Sequence, residues 1–213
     1  MSRPCTWASV RYRMGMAARP RKTATSKDPA VRRLGPDDWT GAALAAIAEG
    51  GIANVSVERL AVGLATTKGS FYWHFKDRAA LIVAALERWE ADYTDGIIAD
   101  RTATTDGPAA RFRALLGPAL AESAGTRIDA NLAADADDPS VADALRRVSA
   151  KRLAFVDEIF AELRSDGGSD RALLAFCAYL GMTQLQRIAP QLVPKGRRRA
   201  RFVDHVVDVL TTG

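Results

Sequence analysis

The stretch of sequence that decides the fold is Thr67-Lys68-Gly69-Ser70-Phe71-Tyr72-Trp73-His74-Phe75-Lys76-Asp77-Arg78-Ala79-Ala80-Leu81. Phe71 and Phe75 are four residues apart, so they lie on one face of a helix. The Tyr-Trp-His triplet between them spans most of the helix circumference, and its members therefore cannot all be buried. We predict a short helix that Thr67 caps, that ends at about Phe75, and whose outer face is polar and aromatic.

Helical patterns continue on both sides of this stretch. Ser56 offers an N-cap for a preceding short helix with apolar residues at Val57, Leu60, Ala61 and Leu64. Asp77 offers a cap for a long fourth helix. A first helix begins at Asp37-Asp38 and ends at Gly50-Gly51. Two short helices joined by a turn form a helix-turn-helix, whose second helix can enter the major groove of DNA.

The rest of the chain also repeats its apolar residues at helical spacing, and no segment alternates with the period of a strand. The sequence therefore predicts an all-α fold, with an N-terminal three-helix helix-turn-helix DNA-binding domain followed by a helical ligand-binding and dimerisation domain. We expect a basic disordered tail at residues 1–36, the DNA-binding domain at 37–82, and the effector-binding and dimerisation domain at 83–213.

The predicted third helix carries groups that suit DNA. The unpaired N–H groups and positive dipole of its first turn favour phosphates and base edges. Lys68 can donate to guanine or to phosphate, Gly69 allows close approach of the backbone, and Ser70 is a small hydrogen-bonding residue. Lys76 and Arg78 follow as phosphate clamps. The competing interpretation is that a short aromatic helix serves only core packing.

Charge is unevenly distributed along the chain. The net charge is +5, yet residues 1–36 hold nine Lys and Arg against a single acid, Asp28, so the remainder is slightly acidic. A basic tail adds salt-dependent attraction to phosphates. The competing interpretation, with equal weight, is that residues 1–36 are a solvated leader. Met14 and Met16 are also candidate start positions.

Several classes of protein and site are not indicated. Two cysteines, Cys5 and Cys177, do not make a disulfide framework, and no His/Cys spacing suggests zinc. We expect no metal and no cofactor. The acidic residues before Pro139 lack calcium-loop spacing and are better explained by Asp138 capping the next helix. With no signal sequence or membrane span apparent, we expect a cytoplasmic protein.

The quoted stretch resembles the recognition helix and fourth-helix start of the TetR family of transcriptional regulators. The resemblance extends backwards through Leu60-Ala61, Val57 and Gly51, and covers roughly residues 38–90. It implies that Lys68, Gly69 and Ser70 face base edges, that Thr67, Tyr72 and His74 bind phosphates, and that Trp73 packs at the groove edge. Family members usually have Gly and often Val in the turn, where this chain has Ala65 and Thr66. A left-handed conformation there would strain Ala65 by roughly 1–2 kcal/mol.

The resemblance also implies a homodimer that pairs through residues 169–188 and 199–211, and a repressor that a small-molecule effector releases from a palindromic operator. Large apolar residues of the central helices are candidates for an effector pocket, which suits a lipophilic ligand. They are equally consistent with plain core: Trp89, Tyr93, Phe112, Leu116, Phe155, Ile159, Phe176 and Tyr179.

Two other functions compete with this one. An enzyme is disfavoured because the sequence lacks a nucleophile elbow, a phosphate loop and a dinucleotide fingerprint, and we predict no catalytic residues. An architectural protein that binds DNA through its basic tail would show no sequence preference. It would lose DNA binding when residues 1–36 are deleted.

Overall fold

The computed structural model describes residues 34–103, 106–163 and 168–212, and these contain helices and no strand. Residues 1–33, which are most of the predicted tail, lie outside the described residues, as do residues 104–105, 164–167 and 213. No helix in the described part of the chain is long and apolar enough to cross a membrane. The α-helices are α1 (Pro36–Gly50), α2 (Val57–Gly63), α3 (Lys68–Tyr72), α4 (Arg78–Glu90), α5 (Gly96–Thr102), α6 (Pro108–Ala119), α7 (Ala124–Ala134), α8 (Pro139–Glu162), α9 (Gly168–Ile188) and α10 (Gly196–Thr211).

Local capping explains where most of these helices begin. Ser56, Thr67 and Asp77 each accept a hydrogen bond from a backbone N–H in the first turn of α2, α3 and α4. Asp138 does the same for α8, with Pro139 at the first helical position. The four predicted caps are confirmed.

The apolar residues form two cores. The first joins α1 to α4 with one face of α7 and the beginning of α8, and includes Trp39, Ile47, Phe71 and Trp89. The second joins α6, the end of α8, α9 and α10, and includes Phe112, Phe160 and Val207. Helices α1 to α3 form the head of the protein. The first core extends beyond the head and attaches it to the larger helical part.

Polar contacts strengthen this attachment between α7 and the head. Asn131 Nδ2 donates to the carbonyls of Ile47 and Ala48 at 2.9 and 3.2 Å, at the end of α1. Asp135 Oδ2 accepts from the N–H of Ile52 at 2.7 Å. Gly51, with φ 75°, lies against this carboxylate, and a Cβ there would be 2.3 Å from Asp135 Oδ2. Asp135, the first of the acidic residues before Pro139, thus ties the head to α7.

Three features of the helices differ from the sequence prediction. Helix α3 ends at Tyr72, before the predicted Phe75, because the chain turns there while the ring of Phe75 still packs on Phe71 at 5.7 Å. Helix α7 was not predicted as a separate helix, because its buried residues include polar ones and its polar partners are far away in sequence. Helix α10 begins at Gly196, before residue 199 at which the predicted dimerisation segment starts, and the basic residues from Arg197 to Arg201 lie within its first turns.

Candidate nucleic-acid interface

The turn between α2 and α3 has the hydrogen bonds of a Schellman motif. The N–H of Thr66 donates to the carbonyl of Ala61 at 2.9 Å, and the N–H of Ala65 donates to Val62 at 3.1 Å. This motif places its central residue in the left-handed region, and Ala65 has φ 52°. The expected departure from glycine is therefore a real conformational strain at Ala65.

Aromatic packing fixes α3 on the head. The ring of Phe71 is fully buried and lies edge-on to Trp39 of α1, with 5.3 Å between the ring centroids. Stacking on Phe75 completes the anchor. Because α3 has only five residues, these contacts hold it in place far more than its own backbone hydrogen bonds do.

The opposite face of α3 is open to solvent. Trp73 is 88% exposed and Tyr72 is 55% exposed, although both are large aromatic residues. The other predicted contact residues are exposed or half-buried and lie in the same short segment: Thr67, Lys68, Gly69, Ser70, His74, Lys76 and Arg78. A free helix face of this size and polarity fits a major groove about 12 Å wide.

Lys68 has a partner within the head. Its Nζ lies 2.5 Å from Glu58 Oε1 on α2, and the other carboxylate oxygen accepts from Ser56 Oγ at 3.2 Å. The hydrogen bond with Lys68 lowers the pKa of Glu58 to about 2 and raises that of Lys68. Glu58 was not singled out in the sequence, although its position in the first turn of α2 faces the start of α3.

Arg78 also makes contacts within the protein. Its Nε donates to the carbonyl of Val55 at 2.6 Å, and its Nη2 donates to the carbonyl of Ile52. The guanidinium therefore ties the start of α4 to the segment before α2. Lys76, in contrast, has no hydrogen bond or ion pair to any described residue, and its ammonium is free for a phosphate.

The eight predicted effector residues divide between two regions of the described structure. Phe112, Leu116, Phe155 and Ile159 are buried together in the second core. Trp89 and Tyr93 belong to the first core, and the ring of Phe176 lies 6.1 Å from that of Tyr179 on α9. A groove of about 430 Å³ between α4 and α8 contains none of the eight.

A buried ion pair between Arg152 and Asp129 joins two of them, Trp89 and Tyr179. The guanidinium of Arg152, on α8, lies 5.5 Å from the ring centre of Trp89 and 5.6 Å from that of Tyr179. It donates to Asp129 Oδ2 at 3.1 Å, and that carboxylate also accepts from Trp89 Nε1 at 2.9 Å and from the hydroxyl of Tyr179. Burial and the Asp129 carboxylate raise the pKa of Tyr179 above its ordinary value, so it remains a neutral donor.

Sequence reasoning missed Arg152 and Asp129, but a signal was present. Arg152 stands on the apolar stripe of α8 between Val148 and Phe155, where a charged residue needs a buried partner. Asp129 is likewise buried beside Ile128 on α7. A charge within an apolar stripe marks such a pair even when the partner is unknown.

Helix α9 exposes apolar side chains on the surface away from the second core. Leu173, Leu174, Leu180 and Ile188 are between 40% and 71% exposed. Cys177, Ala178 and Gly181 on the same surface are small, so a second helix could approach closely. Helix α10 directs Val203, Val207 and Leu210 into its own core, so the unpartnered apolar surface belongs mainly to α9.

The head matches a known family. Residues 40–85 match the family model described as bacterial regulatory proteins, tetR family. The match includes α2, α3 and most of α4, together with the exposed face of α3. No curated protein sequence matches the chain.

Solved structures show the same fold along most of the chain. E. coli NemR in its reduced form has a TM-score of 0.70 at 18% identity, over 84% of this chain and 98% of that one. A transcriptional regulator from Rhodococcus sp. Rha1 has a TM-score of 0.66 at 20% identity, over 83% and 94%. Bacillus subtilis FadR in complex with stearoyl-CoA has a TM-score of 0.63 at 13% identity, over 83% and 98%. At these identities the likeness establishes the all-helical architecture.

Proposed function

The chain is a TetR-family regulator by virtue of its residues 40–85, and we propose from this premise that it is a dimeric, sequence-specific repressor released from a palindromic operator by a small-molecule effector. The observation that carries the proposal is the outer face of α3. Its aromatic and basic side chains are exposed while Phe71 beneath them is completely buried. A helix anchored so firmly and left so open is suited to insertion into the major groove.

We assign the DNA contacts to two groups of residues. Lys68, Gly69 and Ser70 read base edges, because they occupy the first turn of α3. The others hold the phosphate backbone and fix the register of the helix, with Trp73 at the groove edge: Thr67, Tyr72, His74, Lys76 and Arg78. Arg78 does this partly by positioning the start of α4, through its bonds to Ile52 and Val55.

A single five-residue helix reads few base pairs, so we propose that two copies bind together. Residues 169–188 and 199–211 form the interface, with the exposed apolar surface of α9 at its centre. Two-fold pairing places two α3 helices on half-sites about 34–36 Å apart. Replacing Leu174 or Leu180 by Asp should convert the dimer to a monomer and abolish binding to a palindromic duplex, as measured by light scattering and anisotropy.

We propose that residues 83–213 bind the effector and that α4 transmits its effect to residues 37–82. The structure of Bacillus subtilis FadR holds stearoyl-CoA, and a lipophilic effector suits the apolar interior of this chain as well. The eight residues from Trp89 to Tyr179 remain our candidates for contact. An effector shifts the equilibrium only by its differential affinity for the free and operator-bound forms.

Selection from a random duplex library tests the proposal. The full chain is compared with a chain lacking residues 1–33, which keeps Gly35 and Pro36 at the start of α1. We expect both proteins to enrich the same two-fold symmetric consensus at physiological salt. Binding that requires residues 1–33 and enriches no sequence would instead identify a tail-driven, architectural DNA-binding protein.

A further inference from the structure

We propose that Arg152 is a positioning residue that fixes the angle between α4 and α9, and thereby sets the half-site spacing that the regulator accepts. This inference rests on the proposed function. It assigns a role to a charged residue that lies outside the predicted DNA-binding segment and whose contacts lie on four elements other than its own.

The guanidinium of Arg152 uses all of its N–H groups. Nε donates to Thr94 Oγ1 at 3.0 Å, and Nη1 donates to Asp129 Oδ2 and Tyr179 OH at 3.1 and 3.0 Å. Nη2 donates to the carbonyl of Tyr93 at 3.2 Å and to Asp129 Oδ1 at 3.4 Å. A planar fork with five satisfied donors defines directions as well as distances, which an ammonium group does not.

Two of these acceptors lie at an irregularity in the helix. Between α4 and α5 the chain forms a π-helical turn over Ala91–Asp95, and this turn contains both Tyr93 and Thr94. A π-turn changes the register of a helix and is a usual cause of a kink. Arg152 therefore binds the π-helical turn, where a change of register can alter the direction of α4 relative to α5.

The other end of the connection is α9. Tyr179 belongs to this helix, whose exposed surface carries Leu173, Leu174 and Leu180. Its hydroxyl binds Asp129 and accepts from Arg152, and its ring covers the guanidinium. A continuous set of buried contacts thus runs from the proposed dimer surface to the π-turn.

Helix α4 carries the direction onward to the head. Leu81 and Ala85 are buried in the first core, and Arg88 Nη1 donates to the carbonyl of Asp37 and to Thr40 Oγ1 on α1. The head and α4 therefore move together. In a two-fold dimer, a change in the angle between α4 and α9 moves both heads by the same amount. The separation of the two α3 helices then changes by the sum of the two displacements.

The expected effect is one of geometry rather than of stability. A buried ion pair contributes little net stability compared with apolar packing, but it can specify a single arrangement. Loosening the pair should let the heads adopt several separations. The regulator would then tolerate operators with the wrong spacing while each head still reads its half-site.

The experiment uses the full chain and duplexes with the selected consensus, in which the centre is lengthened or shortened by a single base pair, together with one isolated half-site. Tyr179→Phe removes only the hydroxyl, and Arg152→Lys keeps the charge but removes the fork. Phe160→Leu is the matched control, because Phe160 is buried in the second core without contact to Arg152. Thermal unfolding of each variant confirms that it is folded.

For the wild type and Phe160→Leu we expect a tenfold or greater preference for the native spacing. For Tyr179→Phe and Arg152→Lys we expect that preference to fall at least threefold, with half-site affinity unchanged. If Arg152→Lys does not fold, Tyr179→Phe alone decides. An unchanged spacing preference in the folded variants overturns the role of Arg152, whereas wild-type protein that binds no duplex specifically overturns the proposed function itself.

Discussion

Lys68 Nζ lies 2.5 Å from Glu58 Oε1, so the ammonium group that we expect at a base edge is held by a carboxylate of the preceding helix. Ser56 Oγ donates to the second oxygen of the same carboxylate at 3.2 Å. Glu58 is therefore itself oriented by the residue that caps α2. A lysine has a long, flexible stem, and this contact restricts where its charge is offered.

We predict that Glu58→Gln lowers the specificity of DNA binding. Released from Glu58, Lys68 can contact any phosphate, and the loss of a negative charge favours all DNA. The ratio of affinities for the consensus and a scrambled duplex should fall about two- to fivefold, the size usual for one exposed ion pair. Fluorescence anisotropy at fixed salt measures both affinities.

A double-mutant cycle provides the control for this effect. In a Lys68→Ala background, Glu58→Gln should leave the specificity ratio unchanged, because the group through which Glu58 acts is missing. An equal fall in both backgrounds would show that Glu58 acts through its charge alone and would contradict the positioning role.

The same pair predicts an unusual titration. The pKa of Glu58 is lowered to about 2 by Lys68, so the carboxylate should stay ionised in the protein at pH 4. A depressed pKa means that the pair persists above it and is lost as the pH falls through it. In Lys68→Ala the pKa should return towards the ordinary 4.5. The carboxyl carbon chemical shift of Glu58 between pH 3.5 and 5.5 should therefore stay nearly constant in the wild type and change with pH in Lys68→Ala. A wild-type midpoint near 4.5 would mean that the pair is absent in solution.

Gly69 offers a prediction in which stability and binding change in opposite directions. A Cβ at this position would meet Thr67 Oγ1 at 3.6 Å, an ordinary contact, so nothing described within the protein requires glycine. Gly69→Ala should therefore raise the free energy of unfolding by about 0.5–1 kcal/mol. If the backbone approaches base edges here, the added methyl should weaken operator binding by about 1–3 kcal/mol.

Gly63→Ala is a suitable comparison for Gly69→Ala. Gly63 is also an exposed helical glycine, at the end of α2, with nothing within 4 Å of an added Cβ. It should gain similar stability without any loss of affinity. If Gly69→Ala binds the operator as the wild type does, the backbone of α3 does not approach the bases closely. Urea unfolding and anisotropy provide the two readouts.

Local signals in the sequence predicted the head well, and signals that depend on distant partners did not. The caps at Ser56, Thr67 and Asp77 involve residues only a few positions apart, so sequence alone predicts them. The partners of Arg152 are 23 to 59 positions away, and their meeting depends on how five elements pack. The candidate effector residues divide between two cores for the same reason, because helical spacing shows that a face is apolar but not which core it enters.

Arg78 and Lys76 should differ in what they contribute. Arg78→Ala removes the bonds to Ile52 and Val55 and should lower the free energy of unfolding by about 1–2 kcal/mol. Lys76→Ala should leave stability unchanged and weaken binding to all sequences alike, with a smaller salt dependence. Denaturant unfolding separates the two. A stable Arg78→Ala protein that loses affinity as Lys76→Ala does would make Arg78 a simple phosphate contact.

Replacing Ala65 by glycine should stabilise the protein, whereas replacing alanine by glycine within a helix usually destabilises it. Its φ of 52° lies in the left-handed region, which costs an L-residue roughly 1–2 kcal/mol. Glycine removes this strain but loses about 0.5–1 kcal/mol more backbone entropy on folding. Ala65→Gly should therefore raise the free energy of unfolding by about 0.5–1 kcal/mol, with unchanged operator affinity because both hydrogen bonds of the turn are backbone bonds.

At a position where alanine has ordinary helical dihedral angles, replacement by glycine should instead lower the free energy of unfolding. Ala99 is exposed in the interior of α5, and Ala99→Gly should lower the free energy of unfolding by about 0.5–1 kcal/mol. Urea unfolding of the two variants beside the wild type measures both. A loss of stability in Ala65→Gly equal to that in Ala99→Gly would mean that Ala65 occupies an ordinary helical conformation in solution, and that the Schellman turn joining α2 to α3 is not formed.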